Sequence, residues 1–155
     1  MAFDMFLKLG TIQGESADSK HSGEIEVLSY SWGVESDATG GTGGGGSSGQ
    51  PRIGEVHIVS TTSKATPPIV LAVATGQHQV EATLTVRKPG SDPIEFLKYV
   101  MGDVLVTSYH TGTSAADALS QDEFTLHFQK LALTYVPQKA DGSADAPVVA
   151  NIAQL

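Results

Sequence analysis

Between Gly23 and Val34 the chain alternates apolar and polar residues with period two, and the apolar set changes parity midway. In the strand that this pattern predicts, Ile25 and Val27 share one face, whereas Leu28, Tyr30, Trp32 and Val34 share the other. One strand keeps both sets inside only by inserting a residue, so a β-bulge is expected near Val27 and Leu28. The same change of parity returns later. Phe124, Leu126 and Phe128 alternate, and then Leu131, Leu133 and Tyr135 take the opposite phase. Two long strands of this kind predict a barrel whose strands bend sharply and change partners.

The remaining elements fit that frame. Phe3, Met5, Leu7 and Leu9 predict the inner face of a first strand, with Asp4 and Lys8 outside. Gly14 to Gly23 reads as a polar loop. Glu55 to Thr61 and Glu81 to Lys88 are strands, the second with Ala82, Leu84 and Val86 inward and Thr83, Thr85 and Arg87 outward. Thr66-Pro67-Pro68 predicts an N-cap with proline in the first turn, and Gly76 a C-terminal stop. The helix between them is apolar nearly all round, so it is expected to be mostly buried. Phe96 to Tyr109 admits a helix begun at Asp92-Pro93, yet its β-rich run from Val104 favours a strand. Val148 to Ile152 is a candidate closing strand. The fold class is mainly β: an antiparallel barrel of two packed sheets, one short helix and a long Gly-rich loop over residues 37–52. A single domain spans residues 1–155.

Composition narrows the function. The 155-residue chain carries nine Lys and Arg against 17 Asp and Glu, for a formal net charge of -8. Phosphate backbones are held by clustered cations, so nucleic acid is excluded as a partner. No apolar run reaches the ~20 residues that cross a bilayer, and no membrane insertion is expected. Asp4 and Lys8 interrupt what would be the core of a signal peptide, so no cleaved leader is expected. There is no cysteine, and no oxidising compartment is required.

Chemistry-bearing motifs are sparse. Neither His-Glu-x-x-His nor a cysteine-based zinc site is present. Glu15, Asp18 and His21 are close in sequence but bracketed by Gly14 and Gly23, which favours a polar surface turn over a metal site. His57 and His127 read as exposed or hydrogen-bonded strand histidines. No serine lies in Gly-x-Ser-x-Gly. Gly41 to Gly46 fits Gly-x-Gly-x-x-Gly only as any glycine run does, and a strand follows where a phosphate cradle needs a helix. No catalytic residue, cofactor or metal is assigned, and the chain is not expected to be an enzyme.

Five stretches taken together are more specific than any one. They are Gly14 to His21, Glu24 to Gly33, Ala72 to His78, Asp103 to Tyr109 and Tyr135 to Gly142. In order and spacing they resemble the haemolysin-coregulated protein (Hcp) family, the tube subunits of bacterial type VI secretion systems. Tyr30 stands where the family often has Trp, and Val149 to Leu155 lacks the Gly-Trp-Asn-like finish of many members. The resemblance implies six-membered rings stacked into a tube that carries effectors in its lumen. It further implies a VgrG-like spike protein and a contractile sheath as partners. Assembly would be cytoplasmic, and the subunit would itself be secreted through the machinery. Ser29 and Ser31, opposite Tyr30 and Trp32, are then candidates for the lumen, with an ordinary solvent face as the alternative. The Gly-rich loop is a candidate ring-stacking element, with Asp37, Thr42, Ser47, Ser48 and Arg52 as its contacts. A small β-barrel binding a sugar or lipid is the alternative reading, and a hydrolase or toxin domain has the least support. Assembly separates the first two, since a binding barrel is usually monomeric.

Overall fold

Two long antiparallel strands form the wall on which the other strands assemble. The computed structural model describes residues 3–36, 51–90 and 93–154. In chain order the elements are β1 (Asp4–Leu9), β2 (Ile25–Ser31), β3 (Val34–Ser36), β4 (Pro51–Ile53) and β5 (Val56–Thr61). Then follow α1 (Thr66–Thr75), β6 (His78–Arg87), β7 (Glu95–Gly112), β8 (Gln121–Tyr135) and β9 (Val148–Ala153). The segment open to a helical reading is thus the 18-residue strand β7.

Neighbouring strands run β5-β2-β1-β6-β7-β8-β9, and β5 also pairs with β8. That pairing, from Val56 opposite Leu126 to Thr61 opposite Gln121, closes a six-stranded antiparallel barrel. β8 does change partners on one edge: its first half meets β5, and Lys130 to Tyr135 meets β9. The final strand, expected to close the barrel, is instead appended to it. Closure is already complete through β5, so β9 has only the free end of β8 to pair with.

The bulge expected in β2 is present. Val27 lies opposite Ser60 and Ser29 opposite Val59, which leaves Leu28 as the extra residue. Leu28 is 41% exposed, so it leaves the inward set in which periodicity placed it. Val34 leaves it too, because β3 pairs with β4 in a separate two-stranded arm. The later parity change has another origin. Inward residues switch phase between Met101 and Val104 in β7 and between Phe128 and Leu131 in β8, while the register stays constant. Asp103 takes a left-handed φ of 53° at the switch, a conformation that twists the backbone without an added residue.

Phe124, Phe128, Leu7, Leu84, Ile58 and Met101 fill the barrel and are fully buried. Each contributes about 1.5–3 kcal/mol through burial. α1 lies against this core through buried Ile69 and Ala72 and partly buried Val73; Val70 and Leu71 are 41% and 58% exposed. The expectation of a mostly buried helix fails because one flank of a short helix suffices to cap the barrel. Its start also differs from expectation. Ala65 occupies the N-cap without a side-chain bond. Pro67 and Pro68 lack N–H groups that would need an acceptor. The Thr66 hydroxyl accepts from Ser63 N at 3.1 Å and donates to buried Asp122. Asp122 accepts from Thr62 and Tyr109 as well, each at 3.0 Å. One carboxylate therefore ties α1 to β7 and β8. Gly76 ends the helix in the left-handed conformation, as expected. Among the described residues no helix is long and apolar enough to cross a membrane.

Candidate functional site

The bulge at Leu28 restores a common inside to β2. Past it, Tyr30 and Trp32 pack against the core, and Ser29 and Ser31 stand exposed on the opposite face. Trp32 is held from both ends. Its indole N–H donates to Gly54 O at 2.9 Å, and its ring meets Tyr99 and Phe128 at centroid distances of 6.1 and 6.4 Å. Tyr30 and Tyr99 share a hydroxyl contact of 3.3 Å. Burial raises the Tyr99 phenol well above its usual range, so it stays neutral and bonds as O–H. The serine face therefore rests on fixed aromatic backing.

Register carries that face across four strands. Ser31 lies opposite His57, His57 opposite Thr125, and Thr125 opposite Ser108. One row away, Ser29, Val59, Glu123 and His110 follow the same order. A second bulge, between Val106 and Ser108, brings two consecutive hydroxyls to the hydroxyl of Thr125. Thr107 Oγ1 and Ser108 Oγ lie 2.7 and 2.6 Å from Thr125 Oγ1. Thr107 donates to Glu55 at 2.9 Å, so its hydroxyl accepts from Thr125. The result is a broad outward surface of short polar side chains. His57 and His127 are half-buried on it, in agreement with their reading as strand histidines.

The other anticipated contacts fall within residues 37–52. Arg52 is exposed in β4 opposite Glu35. Asp37, Thr42, Ser47 and Ser48 lie outside the described residues, as does the glycine run. The arm joins the barrel at Gly54, whose N–H donates to Gly33 O at 2.9 Å. A Cβ at Gly54 would stand 2.7 Å from that oxygen, so the close approach requires glycine.

The Gly14 to Gly23 loop proves to be a folded cover. Its ends are pinned by Gly14 N to Gly23 O at 2.8 Å and Gly23 N to Ser16 O at 2.9 Å. Beneath it the outward faces of β1 and β6 form a second small core. Phe6 stacks on the His21 ring at 4.5 Å, and the Arg87 guanidinium lies 5.0 Å from the Phe6 centroid. Phe6, Thr85 and Arg87 are buried, although period two alone places them outside. Arg87 donates to Asp18 at 2.8 and 3.0 Å and to Asp4 at 3.1 Å. The hydrogen bond from Arg87 lowers the Asp18 carboxyl from 3.8 to about 2. His21 lies 2.9 Å from Glu24 and 2.5 Å from Glu95, and Glu15 accepts from Lys64 N. Glu15, Asp18 and His21 thus turn to different partners. Among the described residues no group of His, Asp and Glu converges on a metal position. The turn is less superficial than expected, because His21 is buried. An isolated apolar residue on an outer face, Phe6, was the available signal.

The comparisons agree with this geometry. A family model described as "Type VI secretion system effector, Hcp" matches residues 6–135. The protein hcp1 of Pseudomonas aeruginosa is 38% identical over 146 residues, which cover 94% of this chain and 90% of that protein. A solved type six secretion system protein superposes with a TM-score of 0.92 at 26% identity, over 98% of this chain and 96% of that one. For Hcp1 from Salmonella typhimurium the TM-score is 0.81 and the identity 31%, with 99% and 95% covered. The chain belongs to the Hcp family of type VI secretion proteins.

Proposed function

We propose that this chain is a structural subunit of the type VI secretion inner tube, forming stacked six-membered rings that hold effectors and are exported with them. The observation that carries the reading is that a barrel already closed leaves apolar flanks uncovered. Val70 and Leu71 project from α1, and Val148 and Val149 from the outer strand β9. β9 pairs with β8 along one edge, and among the described residues no strand pairs with its other edge. A strand edge of this kind is a ready template for another chain. Lateral neighbours cover such surfaces, and permanent assemblies bury on the order of 2,000 Å² or more.

In the ring the face bearing Ser29 and Ser31 lines the lumen, and the arm carrying Arg52 points to the next ring. The stretch with Asp37, Thr42, Ser47 and Ser48 supplies the stacking contacts. A VgrG-like spike, a contractile sheath and the effectors complete the partners. Light scattering across protein and salt concentration tests the assembly. The expected mass is six-fold that of the subunit, and a monomer under every condition would reject the reading in favour of a ligand-binding barrel.

A further inference from the structure

The face across β2, β5, β8 and β7 has an unusual charge inventory. Over residues 25–31, 55–61, 107–112 and 121–127 its outward positions hold three carboxylates, Glu26, Glu55 and Glu123, and three imidazoles, His57, His110 and His127, with neither lysine nor arginine; Lys98, Asp103 and Lys130 lie outward farther along β7 and β8. The other outward groups are mainly hydroxyls, among them Ser29, Ser31, Ser108 and Thr125. Short side chains lose little rotamer freedom when covered. Two of the carboxylates each have an imidazole beside them. His127 Nδ1 lies 4.0 Å from Glu55, and His110 lies opposite Glu123 in register, both lining one surface cleft of about 240 Å³. His57 stands between Ser31 and Thr125.

We infer that this face recognises a lysine- and arginine-rich stretch of polypeptide at neutral pH and releases it on acidification. With neutral imidazoles this part of the face carries only negative charge, Lys130 standing beyond His127 at its end, and its hydroxyls accept from ammonium and guanidinium groups. Histidine is the side chain that changes charge between pH 5 and 8. Once protonated, His127 takes Glu55 as its partner and His110 takes Glu123, while His57 adds a repelling cation beside Ser31. The remaining groups around His57 are the hydroxyls of Ser31, Thr125, Thr107 and Ser108; the nearest carboxylates along the strands are Glu55 and Glu123. The inference rests on the tube reading only in making this bound segment part of an effector.

Fluorescence anisotropy with labelled decalysine at low ionic strength, at pH of about 7.5 and about 5.5, provides the test. Loss of two exposed ion pairs predicts about tenfold weaker binding at the lower pH. Glu55→Gln with Glu123→Gln should abolish tight binding at both values, and His110→Gln with His127→Gln should bind with little pH dependence. Asp141→Asn with Asp145→Asn, on an exposed turn, should behave as the parent. Binding indifferent to the glutamate changes, or pH dependence that survives the histidine changes, would overturn the inference. Light scattering on the same samples separates it from the tube reading. Rings that bind no decalysine overturn the inference alone; monomers that bind it with this pH profile support the inference and overturn the tube.

Discussion

Arg87 shows how a residue acquires a role that its strand pattern hides. It follows Thr83 and Thr85 on an outward face, yet it is buried between Phe6 and the carboxylates of Asp18 and Asp4. The contact has a pH signature. A carboxyl lowered to about 2 from 3.8 adds stability at pH above about 4 and loses that contribution as pH falls through about 2. Asp18→Asn should therefore be less stable than the parent at neutral pH. The gap between the two should close between pH of about 4 and about 2, as read by urea denaturation at each pH. The sequence marks Glu15, Asp18 and His21 as a polar surface turn. It could not show what lay beneath them, because the cover and the covered strands are far apart in the chain: Asp18 meets Arg87, and His21 meets Glu95.

At the scale of elements, side-chain alternation was the informative signal. A strand has period two, so any lasting change of phase marks either a bulge or a twist. The bulge in β2 was legible for that reason, down to the pair Val27 and Leu28. Whether a phase change needs an added residue was not legible, since β7 and β8 switch together around left-handed Asp103. The burial of α1 depends on neighbours rather than propensity, and its apolar sequence gave no warning that one flank would stay uncovered. Deleting Leu28 tests the bulge. The register then forces either Ile25 and Val27 or Tyr30 and Trp32 outward, each apolar residue being worth about 1.5–3 kcal/mol. Denaturant titration should show a loss of several kcal/mol. Leu28→Ala keeps the inserted residue and should change stability by about 0.5 kcal/mol or less.

For the whole molecule, the barrel was legible and its closure was not, because closure is decided by which distant strands meet. The arm poses a separate question of assembly. Glu35 opposite Arg52 and Ser36 opposite Pro51 hold the two strands of the arm together. Replacing Thr39 to Gln50 by a short turn should leave ring mass unchanged in light scattering. Tubes seen by electron microscopy and export into the culture medium should be lost. Normal tubes and export from the shortened chain would leave that segment with no part in stacking.

The β5–β8 seam also sets a timetable for synthesis. Val56 finds its ladder partner only in Leu126, so the edge of β5 has nothing to close against until most of the chain has left the ribosome. Loop-closure entropy delays such distant pairings relative to the local β6–β7 and β7–β8 hairpins. During that interval the nascent chain presents an open strand edge, which invites pairing with other chains. The subunit is then most vulnerable to aggregation before β8 emerges, and a chaperone that shields strand edges would matter most in that window.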